Sequence, residues 1–147
     1  MMVPELLRIY IAGWFGAKDR LKAVRNRIHE LGVGEVVGTW LDQELSAPTD
    51  HTSPTGYQSP TPEECREHAV RDAGEVRHSD LLILDTLDVN PRGGREVEYG
   101  VALANGLALW VVGPKRNVFH YLAQRQFDHW DGAIVELRQI KRGDSVL

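Results

Sequence analysis

Residues 7–16, LRIYIAGWFG, set the pattern of the whole chain: Leu7 to Ala12 is an almost unbroken apolar run, closed by Gly13. A short apolar run stopped by glycine reads as a strand buried on both faces. Asp19 to Leu31 follows with apolar residues at Leu21, Val24, Ile28 and Leu31, a helical stripe that stops at Gly32. The same alternation continues along the chain. Glu35 to Trp40 reads as a weaker strand and Thr61 to His78 as a helix with Pro62 in its first turn. Leu81 to Leu84 is a fully apolar strand, Glu96 to Asn105 a helix entered through Gly93-Gly94, and Leu107 to Val112 another buried strand. A short helix over Asn117 to Ala123, a short strand near Phe127 and a helix from Asp131 to Ile140 complete the chain.

Strands alternating with helices build a parallel sheet covered on both faces. The expected fold is a single α/β domain, a flavodoxin-like, Rossmann-like doubly wound five-stranded sheet of order 2-1-3-4-5. In that order the crevice opens where the loops after strands one and three diverge, at the carboxyl edge. Here those loops are Gly13 to Gly16 and Asp85 to Gly94. One stretch breaks the rhythm: Asp42 to Pro60 is dense in Pro, Ser, Thr and Asp and has neither period, so it reads as a lid or a flexible loop.

Composition narrows the function classes. The chain has 147 residues, with Lys+Arg 17 against Asp+Glu 21 and a net charge of -4. That balance argues against duplex nucleic acid and anionic membranes as partners, since both need surplus positive charge. A single Cys65 excludes an internal disulfide and a cysteine-based zinc site. No apolar run approaches the roughly 20 residues that span a bilayer, and the start lacks a basic leader segment. A cytoplasmic location is the expectation. The six histidines show no ligand spacing, so neither a metal nor another cofactor is expected. There is no Walker-type phosphate loop, and Gly32, Gly34 and Gly38 precede a strand rather than follow one.

Three features converge on the crevice. Trp14 and Phe15, flanked by Gly13 and Gly16, can stack on a flat ligand such as a nucleobase, or pack beneath the neighbouring loop. Gly93-Gly94 lets backbone N–H groups approach an anion or a sugar. A carboxylate in the first turn of that helix, Glu96 or Glu98, sits in the positive end of the helix field, which keeps it ionised and able to attack an anomeric carbon. Asp72 borders an apolar stripe of Ala69, Val76 and Cys65, where burial would raise its pKa and suit it to give a proton or bind a base.

Together these residues resemble the nucleoside 2-deoxyribosyltransferase family, including its relatives that hydrolyse 2'-deoxynucleoside 5'-monophosphates. Ile9-Tyr10-Ile11-Ala12-Gly13-Trp14-Phe15 is similar to the family's opening strand and loop, Asp72 to Asp80 to its helix before strand three, and Glu98 to Gly106 to its E-x-G-x-A-x-x-x-G helix. The resemblance implies cleavage of an N-glycosidic bond. Glu98, selected over Glu96, would attack C1' of the deoxyribose, Asp72 would face the base, and Tyr10 would orient Glu98. Trp14 and Phe15 would border the base, and transfer to a second base or to water stays open. The partners implied are a small nucleoside or nucleotide and a nucleobase, with a homo-oligomer completing its sites across subunits; Asn117 is the candidate to reach a neighbour's ligand. Arg92, where the transferases tend to carry an Asp, departs from both branches and suits a 5'-phosphate through a bidentate contact. A non-catalytic nucleotide-binding or sensing module on the same fold is the alternative.

Overall fold

The computed structural model describes residues 6–43, 61–89 and 93–141. The strands are β1 (Arg8–Ala12), β2 (Glu35–Val36), β3 (Leu81–Asp85), β4 (Ala108–Val112) and β5 (Arg125–Phe127). The helices are α1 (Lys18–Leu31), α2 (Pro62–Arg77), α3 (Gly94–Ala104) and α4 (Trp130–Lys141), with 3-10 turns at Phe15–Ala17, Thr39–Asp42 and Val118–Leu122. The strands form one sheet of order β2-β1-β3-β4-β5, every pair parallel. The sheet order and class are those expected from the alternation of strand and helix.

Right-handed crossovers decide which face each helix covers. The path runs one way from β1 to β2 and the other way from β2 to β3 to β4, so α1 lies on one face and α2 and α3 on the other. α2 and α3 pack against each other, and α3 lies over β1, β3 and β4. An Arg27–Asp131 ion pair ties α4 to α1 on the opposite face. With both faces covered, every residue of β3 and β4 is buried, which is why those strands read as continuous apolar runs.

Local chemistry explains where the elements begin and end. α2 starts with a capping box, in which Thr61 accepts from the Glu64 N–H and Glu64 accepts from the Thr61 N–H. α1 ends on Gly32, whose φ of 63° is left-handed. At the other end of the β1–α1 connection, a Cβ on Gly13 would lie 2.6 Å from Leu21 Cδ1. Gly13 is therefore required by close packing between the strand end and α1, whatever it contributes to a ligand.

Two expectations need correction. The strand over Glu35 to Trp40 stops at Val36, because Thr39–Asp42 coils into a 3-10 turn whose Trp40 Nε1 donates to Ile11 O at 2.8 Å. Leu31, placed in the apolar stripe of α1, is exposed. Of the stretch expected to form a lid, only Asp42 and Gln43 are described; residues 44–60 lie outside the described residues. Among the described residues no helix is long and apolar enough to cross a membrane.

The carboxyl end of β3 is fastened by one buried carboxylate. Asp85 is 1% exposed and accepts from Arg20 Nη1 at 2.8 Å, Trp130 Nε1 at 2.7 Å and the Leu87 N–H at 3.0 Å. It joins α1, α4 and the β3–α3 loop at the switch point of the sheet. Asp85→Ala leaves buried donors unpaired and is expected to cost about 3 kcal/mol, against about 1 kcal/mol for Trp130→Phe, which loses one bond while keeping most of the ring. Chemical denaturation checks this; equal losses would mean that the carboxylate is not the common anchor.

Candidate active site

Tyr10 is central in β1, and strand alternation points it to the α2/α3 face, while Ile9 and Ile11 point to α1. The ring is fully buried and its hydroxyl donates to Glu98 Oε2 on α3. Burial and the Glu98 charge push the Tyr10 pKa far up, so the phenol stays a donor. Glu98 is half-buried, and desolvation pushes its pKa up to about 8; the Tyr10 hydrogen bond pulls against that shift, and the charges of Asp72 and Glu75 add to it. This corrects the expectation of a carboxylate held ionised by the helix terminus. α3 begins at Gly94, which puts Glu96 in the first turn and Glu98 in the second, and the favourable field of a helix end fades within its first turn.

The two acids of α3 part company. Glu96 accepts from His120 Nε2 at 2.8 Å and from Asn117 Nδ2 at 3.1 Å, so it faces the Val118–Leu122 turn rather than Tyr10. His120 is fully buried; its Nδ1 accepts from the Arg116 N–H at 3.0 Å, which places its proton on Nε2, toward Glu96. Asn117 Oδ1 caps the same turn by accepting from the Phe119 N–H at 2.9 Å. Asn117 is thus engaged within its own chain.

On α2, Asp72 and Glu75 lie close enough to Tyr10 and Glu98 for their charges to raise both pKa values. Burial pushes the Asp72 pKa up, partly countered by Arg71. Its Oδ1 is buried and makes no hydrogen bond, the Arg71 Nε lying 3.6 Å away. Val76 is buried as the apolar stripe implied, but Ala69 is exposed and Cys65 is half-buried. A second buried atom without a partner is Gln43 Nε2. Gln43 Oε1 lies 2.8 Å from His68 Nδ1, and His68 stands one turn before Asp72 on α2. An unpaired donor and an unpaired acceptor therefore belong to one neighbourhood beside the Tyr10–Glu98 pair.

The aromatic loop reaches this neighbourhood through Trp40. Phe15 and Trp40 lie 6.3 Å apart between ring centroids, and Gly38 separates Trp40 from Tyr10, since a Cβ there would sit 3.1 Å from Tyr10 Cε2 and 3.3 Å from Trp40 Cδ1. Trp14 folds back over Gly16, where a Cβ would meet the indole at 2.4 Å. Both Trp14 and Phe15 are half-buried.

The β3–α3 loop is built from arginines. Arg95, 4% exposed, donates from Nη1 to Asp85 O at 3.1 Å and Asp88 O at 2.9 Å. Arg116 donates from Nε to Thr86 O at 2.8 Å and is exposed. Gly94 is exposed with open space around it at the start of α3. Arg92 lies outside the described residues.

Sequence reasoning missed Gln43, Glu75, Trp40 and Arg116 as members of this region. Trp40 was hidden in an apparent strand. Gln43 opens the aperiodic stretch, and Glu75 is one of many acids on an amphipathic helix.

The architecture is a doubly wound α/β domain in which the buried Tyr10 phenol holds the half-buried Glu98 carboxyl. Solved structures that share this fold include a CMP N-glycosidase, BcmB, of Clostridium botulinum, at 16% identity and a TM-score of 0.52 over 90% of this chain and 98% of that one. A conserved protein from Enterococcus faecalis V583 is similar at 17% identity and a TM-score of 0.61, over 92% of this chain and 99% of that one. A 2-desoxiribosyltransferase from Leishmania mexicana aligns at 22% identity over 80% of this chain and 73% of that one, with a TM-score of only 0.43. No protein-family model and no curated protein sequence matches the chain.

The raised Glu98 pKa has a consequence for stability. A carboxyl whose folded pKa exceeds its unfolded value binds more protons folded than unfolded between the two, so stability falls as pH rises through that window. With a folded value of about 8 against an ordinary 4.5, the protein is expected to lose stability between these pH values. Glu98→Gln should remove that loss and be stabilised relative to wild type more at pH 8.5 than at pH 5. Thermal melts across pH check this; parallel curves for the two proteins would place Glu98 in a solvated setting.

Proposed function

We propose that this chain cleaves the N-glycosidic bond of a 2'-deoxynucleoside or its 5'-monophosphate through a covalent intermediate on Glu98. The observation that carries the proposal is the Tyr10 hydroxyl on Glu98 Oε2, with Asp72, whose buried Oδ1 makes no hydrogen bond, close enough for its charge to act on Glu98. One carboxylate is oriented by a buried donor, and another keeps a free oxygen with a raised pKa. Glycosyl cleavage uses two carboxyl groups; the bond from Tyr10 favours the ionised form of Glu98 for attack, and Asp72 is the neighbouring acid available to carry the proton.

In the first step ionised Glu98 attacks C1' as the bond from C1' to the base nitrogen breaks. The bonding pair leaves on the base, which takes a proton from Asp72, and the sugar remains as an ester on Glu98. In the second step water, or the nitrogen of another base, attacks C1' and gives its proton to Asp72, and Glu98 leaves as a carboxylate. Tyr10 holds the Glu98 oxygen in line, and a fixed carboxylate stabilises the cationic transition state. A deoxyribose lacks the electron-withdrawing 2'-hydroxyl and so reaches that state more easily. Gln43 Nε2 and Asp72 Oδ1 offer a donor and an acceptor to the edge of a base, with Phe15 and Trp40 supplying flat apolar surface and Trp14 beside them.

A 5'-phosphate fits the amino end of α3, where Gly93 and Gly94 are open and Arg116 stands by, with Arg92 as the sequence candidate for a bidentate contact. A homo-oligomer remains part of the proposal, but Asn117 is committed to Glu96 and its own turn and is not used here as a ligand contact. The CMP named for the Clostridium botulinum enzyme with this fold belongs among the substrates to be tried.

The test is incubation with each deoxynucleoside, each deoxynucleoside monophosphate and CMP, with and without a second free base, followed by chromatography. Free base alone means hydrolysis; a new nucleoside means transfer. Glu98→Ala should lower the rate at least about 1,000-fold and Tyr10→Phe about 100-fold, while Glu96→Ala retains most of it. Equal losses in Glu98→Ala and Glu96→Ala would move the nucleophile. Ligand binding with no product under any condition would favour the non-catalytic module.

A further inference from the structure

Glu75 acts electrostatically on Tyr10 and Glu98 and has no part in the proposed reaction. It is on α2, its side chain 18% exposed. Both of its oxygens bind a single residue: Oε1 accepts from Thr39 Oγ1 at 2.8 Å and Oε2 from the Thr39 N–H at 3.1 Å. Arg71 Nε lies 3.8 Å from Oε1. Thr39 opens the 3-10 turn that interrupts the expected strand. On one side of it Gly38 lies against the Tyr10 ring; on the other, Trp40 reaches Ile11 O and Phe15. The turn then leads straight into Gln43.

We propose that Glu75 is a positioning residue that sets the base-side wall of the site: by gripping Thr39 at two points it holds Gly38 on the Tyr10 ring and fixes the places of Trp40 and Gln43. This rests on the function proposed above. Two hydrogen bonds to adjacent groups of one residue fix orientation as well as distance, which a single bond cannot do. The turn is also held by Trp40 on Ile11 O, by the buried Leu41 and by the Arg25–Asp42 ion pair with α1, while Glu75 ties its first residue to α2. Without the grip, Gly38 can lift from Tyr10, and the phenol that orients Glu98 loses the surface behind it. The Glu75 charge also faces Glu98, together with Asp72 on α2 and Tyr10 on β1.

The experiment uses the full chain as Glu75→Ala, Glu75→Gln and Thr39→Val, and reads two quantities in parallel. The first is the Trp40 indole N–H signal in a proton–nitrogen correlation spectrum, assigned with Trp40→Phe. The second is kcat/KM across pH on a substrate that the wild type cleaves. Both Glu75 variants should shift the Trp40 signal, and Thr39→Val should shift it in the same direction by less. The Glu75 variants should lose about 10-fold to 100-fold in kcat/KM, and Glu75→Gln should move the acid limb to lower pH, because removing a negative charge eases ionisation of Glu98. Glu75→Gln combined with Thr39→Val should lose less than the product of the two single effects. A shifted Trp40 signal with kcat/KM within about twofold and an unchanged pH limb would overturn the positioning role, as would an unmoved Trp40 signal. If Glu75→Ala does not fold, Glu75→Gln and Thr39→Val carry the test. Should the wild type cleave none of the substrates, the proposed function fails on its own, and the Trp40 signal still decides whether the grip exists.

Discussion

A hydrogen bond from the Tyr10 hydroxyl to Glu98 joins residues 88 positions apart, and the order of the sheet exists around it. β1 carries Tyr10 beneath two helices, α3 lies across β1, β3 and β4, and the reversal of direction between β1 and β3 brings both to one edge. The bond is made where burial opposes charge. Desolvation pushes the Glu98 pKa up to about 8 even with Tyr10, which favours the ionised form, donating to it. A carboxylate so poorly solvated is a stronger nucleophile than one in water, and a positively charged sugar is the partner that would relieve it.

The rest of the carboxyl edge is a frame for that pair. Asp85 draws Arg20, Trp130 and Leu87 together, and Arg95 and Arg116 hold the carbonyls of the following loop. Glu96 and His120 tie the α3 start to the turn before β5. These contacts leave the start of α3 open, while Asp72 Oδ1 and Gln43 Nε2 are buried without a hydrogen bond.

Much of the fold was legible because apolar runs such as Leu81 to Leu84 can only be strands buried on both faces, and glycines mark their ends. β2 was overread: Val37 to Trp40 has strand-like composition, yet a carboxylate 36 residues away on α2 and a backbone carbonyl on β1 coil it into a turn. Residue pattern does not display such partners. Of the site, Asp72 was legible as an acid beside an apolar stripe, while the resemblance added Tyr10 and chose Glu98; local chemistry alone left Glu96 and Glu98 equivalent. They are two residues apart, so they sit on roughly opposite sides of α3 and meet different neighbours, His120 and Tyr10. The same step corrected the electrostatics, since a residue in the second turn of a helix answers to burial more than to the helix end.

The most direct measurement is mass spectrometry of the protein quenched during turnover with a nucleotide substrate, then digested and sequenced. The expected result is one pentosyl group in ester linkage on Glu98, absent from Tyr10→Phe at the same early time or present there at a much lower level. Release of base with no adduct on any residue, or an adduct on Glu96 instead, would contradict the account.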